Sequence, residues 1–371
     1  MIRVAIVCNG AIPGSNVPNI AQGARAVGLQ IGFLSNGFHC DIVSSKESVI
    51  SQLELWETGS LRFTENWRVL ERSAITRVLQ QEYDIVVFMN WSSVDFYEKS
   101  SKNKLVYDFL SASLIEHRFV SAPKKIDEFK ERKEKLLRQA DFVIGNGPEI
   151  TTYAMNYVRG LGLADVPDPI SVGMSFPWTK ADAPKSSKLR VFCGGFDQAW
   201  TKGLRFEDLS YLAEVSNVEI VGIGVGTSSY LRGEERWVSK QQVIPGSILH
   251  DVAPYETYRD LNSQCHVALD VFEENEERQL SHSTRAITSL CCGCPVVTMS
   301  FTGIGKRIAE TNAGWTMDTF SLFELSKLLR QLSESPEDVL LKAQNTRVFW
   351  EHYSDPVKEI EPFVALLREN I

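Results

Sequence analysis

The chain contains no apolar run long enough to cross a bilayer as a helix, which sets aside an integral membrane protein of the helical kind. It has no excess of positive charge: 39 Lys and Arg stand against 47 Asp and Glu, a formal net charge of -8. A protein whose main partner is nucleic acid needs a basic surface for the phosphate backbone, so that class is set aside, while a local basic pocket remains open. Seven cysteines in 371 residues, an odd number, do not make a disulfide framework and fit reduced thiols. Cys291, Cys292 and Cys294 crowd together, but no second Cys pair or His pair stands at zinc spacing, so they read as small buried thiols and no metal is expected. There is no Gly-x-Ser-x-Gly elbow, no Walker-type phosphate loop and no Asp-x-Asp clamp, so neither a serine hydrolase nor a P-loop enzyme is indicated and no divalent ion is required. The opening segment, residues 1–8, lacks the longer apolar region and cleavage site of a signal peptide. It reads as a first strand, and the chain is expected to be cytoplasmic.

What is present is an alternation of strand-like and helical runs. Buried runs at residues 4–8, 41–43, 84–89, 105–109 and 142–144 are separated by helical stretches, among them residues 20–27, followed by Gly28, and residues 124–139. Such βα alternation builds a parallel sheet. Residues 165–187 carry Pro167, Pro169, Pro177 and Pro184 with little periodicity and read as an interdomain linker. A second βα series follows, with strands at residues 189–192, 218–221, 267–271 and 295–299 and a helical tail at residues 336–371. At this length one ordinary core is too few. The expectation is two Rossmann-like domains facing across a cleft, the first at 1–170 and the second at 186–351. The chain then turns at Phe349-Trp350 so that a last helix, about 352–371, packs back on the first domain.

Ligands of such sheets bind beyond the carboxyl ends of the strands, so the residues just after each strand are the functional candidates. The richest stretch runs from Glu276 through Ser281-His282-Ser283-Thr284-Arg285 to Cys294-Pro295. A helix that opens with Ser, Thr and Arg offers backbone N–H groups, a positive dipole end and a planar cation, the requirements for holding an anion. The other reading of Ser283 is a plain N-cap. Gly194-Gly195, with Trp200 and Lys202-Gly203, ends a strand and opens the next helix, where Lys202 can reach a phosphate; a surface turn is the alternative. Gly222 to Gly226 has the wrong spacing for a dinucleotide fingerprint. The acidic run Glu273, Glu274, Glu276, Glu277 is either a solvated loop or, at Glu277, a source of sugar contacts. In the first half, Asp108 closes a strand and is the candidate general base, with Glu116 and His117 a turn or two beyond. Asn9 and Gly10, Asn90, and Asn146 follow three other strands and are expected to line the cleft.

Several segments, in order, resemble glycosyltransferases of the GT-B fold, in particular bacterial members related to the large family 4 group. They are Lys104 to Asp108; the Ala140-Asp141-Phe142-Val143-Ile144 strand; Gly194-Gly195 with Lys202-Gly203; His250 to Glu256; and Ser283-Thr284-Arg285 through Gly293-Cys294-Pro295-Val296-Val297. The chain departs from that family where its paired glutamates would fall: Leu280 and Thr288 stand there. The resemblance implies transfer of a sugar from a nucleotide diphosphate sugar to an acceptor hydroxyl, without metal or other cofactor and with retention, in bacterial glycan or glycoconjugate synthesis. The donor would be held by Gly195, Trp200, Lys202, Glu277, His282, Ser283, Thr284 and Arg285. The acceptor would be a glycan, a lipid-linked molecule or a small molecule, and a lipid-linked one brings a peripheral membrane contact. Two other readings stay open: a nucleotide-sugar epimerase on the same fold, and a non-catalytic nucleotide-sugar-binding partner subunit.

Overall fold

The computed structural model describes residues 1–17, 21–56, 61–89, 97–119, 121–179, 187–194, 202–223, 244, 246–250 and 253–371. The chain divides into two compact units, one made of Met1–Phe176 with Tyr353–Ile371 and the other of Pro177–His352. No described helix is long and apolar enough to cross a membrane.

The first unit runs β1 (Arg3–Val7), α1 (Ala21–Ser35), β2 (His39–Ser45), α2 (Lys46–Trp56), β3 (Trp67–Leu70), α3 (Arg72–Glu82), β4 (Ile85–Phe88), β5 (Lys104–Phe109), α4 (Ser113–Arg118), α5 (Pro123–Leu137), β6 (Phe142–Gly145), α6 (Gly147–Gly160) and β7 (Ile170–Ser171). All its described strand pairs are parallel, in the order β3-β2-β1-β4-β5-β6-β7. Helices must therefore cover both faces, which is why the central strands read as unbroken apolar runs rather than alternating ones. Val4, Ile6, Ile42, Ile85, Val87, Val106 and Ile144 build one core with Leu29 and Phe33 of α1.

The second unit repeats the plan: β8 (Arg190–Gly194), α7 (Phe206–Ser216), β9 (Glu219–Ile223), β10 (Ile248–His250), α8 (Tyr255–Ser263), β11 (Val267–Asp270), α9 (Glu276–Leu280), α10 (Thr284–Cys291), β12 (Val296–Met299), α11 (Gly303–Thr311), β13 (Gly314–Met317), α12 (Leu322–Glu334) and α13 (Pro336–Tyr353). Its described strands are again parallel, in the order β10-β9-β8-β11-β12-β13. In each sheet the order reverses beside the first strand of the unit, between β1 and β4 and between β8 and β11. Each unit is thus a Rossmann-like doubly wound sheet with one topological switch point.

The last helix, α14 (Pro356–Asn370), belongs to the first unit and lies on α1. Phe363 meets Phe33 and Phe142 edge-on, at centroid distances of 6.3 and 6.0 Å. Glu359 accepts from the Gly173 N–H at 2.7 Å, and Arg368 donates to the Asn36 carbonyl at 2.7 Å. A Cβ at Gly32 would lie 2.6 Å from the Pro356 carbonyl oxygen, so this crossing needs glycine on α1.

Several local expectations are corrected. Gly28 does not interrupt a helix: α1 is continuous, and Gly28 is where the Ser175 carbonyl approaches, 2.3 Å from where a Cβ would stand. The chain does not turn at Phe349-Trp350, which lie inside α13. It turns at Ser354 and Asp355, where the Asp355 carboxylate accepts from the Val357 N–H and caps α14. Lys202-Gly203 does not open a helix: Lys202 has φ 42°, Gly203 bridges to Phe272, and α7 starts at Phe206. The Pro-rich stretch read as linker already contains β7, which pairs with β6.

Candidate functional site

At the switch point of the second sheet, β8 ends at Gly194 and β11 ends at Asp270. Arg285, on the first turn of α10, spans the two strand ends. Its Nη1 donates to the Gly194 carbonyl at 3.1 Å, and its Nη2 lies 3.0 Å from Oδ1 of Asp270. Asp270 is buried, with a side chain 1% exposed, while Arg285 keeps 26% of its side chain open. The guanidinium is therefore held against a buried carboxylate while part of the side chain stays open to solvent.

α10 begins as the sequence suggests. Ser283 is the N-cap, and its hydroxyl accepts from the Ala286 N–H at 3.4 Å; Thr284 is the first helical residue. His282 is buried just before the cap, under Arg307 of α11. Arg307 Nη1 lies 3.1 Å from Nε2 and 3.4 Å from Nδ1 of that imidazole. A donor nearly equidistant from both ring nitrogens sits over the ring rather than along either lone pair, which is a stacking contact. Thr302 caps α11, accepting from the Gly305 N–H at 2.9 Å. Gly305 is tight as well: a Cβ there would lie 2.1 Å from the Met299 carbonyl.

Lys202 stands at the same edge. Gly203 bridges to Phe272, just past β11, and Lys202 Nζ pairs with Glu273 at 3.5 Å with both side chains exposed. Glu277 goes elsewhere. It is fully buried in a bidentate pair with Arg278, whose Nη2 donates at 2.6 Å, and it also accepts from the Ser281 hydroxyl. Arg278 in turn lies over the Phe272 ring at 5.3 Å. The expectation of a sugar contact from Glu277 is thus corrected: its lone pairs are occupied in tying α9 to the approach of α10. Gly195 and Trp200 lie outside the described residues.

In the first unit, the base expected at Asp108 is corrected too. Arg25 Nε and Nη2 donate to its two carboxylate oxygens at 3.0 and 3.1 Å, and Nη1 donates to the Gly173 carbonyl at 2.6 Å. Both side chains are essentially fully buried, so this pair fastens β5 to α1. His117 packs on Phe129, and Nδ1 lies 3.0 Å from the Ser121 hydroxyl. Burial and nearby Lys125 push its imidazole below the usual range, so it is neutral at pH 7. Asn9 and Gly10 follow β1 at the switch point of this sheet. Gly10 has φ 112°, which only glycine adopts readily, and its carbonyl accepts from Ser44 at 3.0 Å. Asn146 is buried after β6; Nδ2 donates to the Leu110 carbonyl at 3.0 Å, and Oδ1 has no partner among the described residues. Asn90 lies outside the described residues.

The structure therefore gathers His282, Ser283, Thr284, Arg285 and Lys202 at one sheet edge. It adds Asp270, Arg307 and Tyr258, which sequence reasoning passed over. Tyr258 packs on Phe192, and its hydroxyl would lie 2.7 Å from a Cβ at Gly194; burial pushes the phenol well above its usual range. The signal for Asp270 was available: it is a carboxylate closing an apolar strand, the feature that singled out Asp108. The cysteines around this edge, Cys193, Cys265, Cys292 and Cys294, are buried and outside any disulfide, and burial pushes all four thiols up, away from the reactive thiolate. Among the described residues no group of three or more His, Cys, Asp and Glu is arranged to hold a metal ion.

No protein-family model matches the chain, and no curated protein matches it by sequence. Solved structures do. A sucrose-phosphate synthase from Thermosynechococcus elongatus matches with TM-score 0.70 at 13% identity, covering 100% of this chain and 99% of its own. An alpha-glucosyltransferase in complex with UDP-glucose and DNA containing an abasic site matches with TM-score 0.69 at 12% identity, covering 99% of both chains. Anabaena HepE in complex with UDP-glucose matches with TM-score 0.66 at 13% identity, covering 100% of both. These neighbours are GT-B glycosyltransferases. At such identities the likeness establishes the fold over the full chain.

Proposed function

We propose that the chain is a glycosyltransferase that takes a sugar from a nucleotide diphosphate sugar and passes it to an acceptor hydroxyl, and that it is a divergent relative of the family 4 group. The observation that carries this is the convergence at the β8/β11 switch point of a capped helix N-terminus, the Arg285 fork, Lys202 and the stacked Arg307. Together they provide backbone N–H groups and cations for a diphosphate at the position where doubly wound sheets bind nucleotides. Neighbours of the same fold hold UDP or UDP-glucose, which makes a uridine diphosphate sugar the first donor to try.

As the glycosidic bond breaks, negative charge grows on the leaving diphosphate. Ser283, Thr284, Arg285 and Lys202 are placed to stabilise that charge, and a cationic cradle of this kind works without a metal. Retention of configuration goes with this reading, as does cytoplasmic glycan or glycoconjugate synthesis on a carbohydrate, lipid-linked or small-molecule acceptor. Although one neighbour is seen in complex with DNA, the net charge of -8 speaks for a non-nucleic acceptor here.

The test is a thermal-shift panel of nucleoside diphosphates and their sugars. UDP or UDP-glucose should raise the melting temperature, since a ligand that binds only the folded state stabilises it. Arg285→Ala and Lys202→Ala should lose that shift. A folded wild type that responds to no nucleotide would exclude the proposal, and product analysis without acceptor separates a transferase from an epimerase.

A further inference from the structure

We propose that Asp270 is a built-in counter-ion of the diphosphate grip. It aims Arg285 across the ends of β8 and β11 and offsets one positive charge there, so that the nucleotide product is released. The inference rests on the nucleotide-sugar reading and assigns a role within that site. Asp270 acts through Arg285, so it is a positioning residue.

The geometry is specific. Asp270 is the last residue of β11, and its own carbonyl accepts from Thr298 of β12 at 3.0 Å, which fixes the strand end. Its carboxylate is buried and faces Arg285 at 3.0 Å, yet neither oxygen has a well-aligned hydrogen-bond donor among the described residues. A buried carboxylate without aligned donors is costly to fold, so its presence here calls for an explanation. The contact with Arg285 is one of charge against charge. Plain fastening would instead use the bidentate form seen at Arg25–Asp108, where both oxygens accept in line.

Other charges at this edge do not substitute for Asp270. Glu277 is spent on Arg278, Glu273 pairs with Lys202 at the exposed rim, and Tyr258 is a neutral phenol beside Gly194. Arg307 adds a further cation over His282. Without Asp270 the cradle of Lys202, Arg285 and Arg307 would lose the buried negative charge that faces Arg285. A diphosphate would then be held tightly after transfer. In a site of low effective dielectric, one fixed charge a few ångströms from the phosphates shifts anion affinity by about tenfold.

The experiment is calorimetric titration of UDP and of inorganic pyrophosphate into wild type, Asp270→Asn, Asp270→Glu, and Asp270→Asn combined with Arg285→Ala. Asp270→Asn is expected to bind both probes about tenfold more tightly, with the gain shrinking as salt is raised. Asp270→Glu, which keeps the charge, should stay within about twofold of wild type, and the double variant should lose the gain because it acts through Arg285. With UDP-glucose, Asp270→Asn should show a lower KM together with a lower kcat, since product leaves more slowly. Asp270→Ser, neutral and smaller, carries the same expectation should the Asn variant not fold. Equal or weaker pyrophosphate binding by a folded neutral variant overturns the inference. Absence of UDP binding in wild type, with pyrophosphate still bound more tightly by Asp270→Asn, overturns the nucleotide reading and leaves the counter-ion standing.

Discussion

Single residues in this chain divide into those proposed to grip, those that fasten and those that carry a cost. Lys133 of α5, like Asp270, is costly. Its ammonium is buried among the rings of Phe109, Tyr157 and Tyr153, at 4.1, 4.6 and 5.6 Å. Burial pulls its pKa from 10.5 down to about 7, while Glu116 pulls the other way. In the unfolded chain the lysine is protonated up to about 10.5, so between pH 7 and 10.5 the unfolded state holds more protons and stability rises with pH. Below pH 7 the full cost of burying the charge is borne, on the order of 5 kcal/mol for a displacement from 10.5 to about 7. Lys133→Met should therefore stabilise the protein by that order at pH 6 and by little above pH 10.5, in denaturant titrations at the two pH values. Asp108 makes the opposite case. Asp108→Asn breaks a buried ion pair and should cost about 3 kcal/mol of stability, while leaving turnover per folded molecule within a few-fold of wild type. Loss of several orders of magnitude in kcat by a folded Asp108→Asn would restore it as a base. Both buried pairs explain why charged site residues were misread from sequence. Asp108 and Glu277 stand where ligand contacts are expected, and their partners, Arg25 for the first and Arg278 with Ser281 for the second, are known only once the chain is folded.

Among the elements, those buried on both faces were legible and those at the edges were not. β1, β4, β5, β8, β11 and β12 are apolar runs because helices cover both sides of them. The edge elements β3, β7 and β10 are short and only partly buried, so they carry no apolar signature. Helix starts were readable where a side chain caps, as at Ser283, and the close approaches at Gly28 and Gly32 were not, because a glycine in a helix says nothing of what lies against it. Gly32→Ala should push α14 off α1: a Cβ 2.6 Å from the Pro356 carbonyl cannot be accommodated without a backbone shift. The expected cost is about 1–3 kcal/mol, measured as a lowered melting temperature. Asp355→Ala should remove the cap of the same helix for about 1 kcal/mol.

For the molecule as a whole, the two doubly wound sheets follow from the alternation of runs, and the solved glycosyltransferases that share this fold cover the chain from end to end. The start of α10 proposed as the phosphate grip was legible as Ser283-Thr284-Arg285 because capping and cationic residues leave a local signature. Asp270 carried the signal of a carboxylate closing an apolar strand, whereas Tyr258 and Arg307 were not legible, because they come from two other elements and meet Arg285 and His282 only through the sheet order. The central claim is that the start of α10 holds a nucleotide diphosphate. Its most direct measurement is calorimetric titration of UDP into wild type and into Arg285→Ala, with folding of both confirmed by their unliganded melting curves. A saturable one-to-one isotherm for wild type, weakened at least tenfold by Arg285→Ala, is the predicted result; no binding to folded wild type, or binding unchanged by Arg285→Ala, would contradict it.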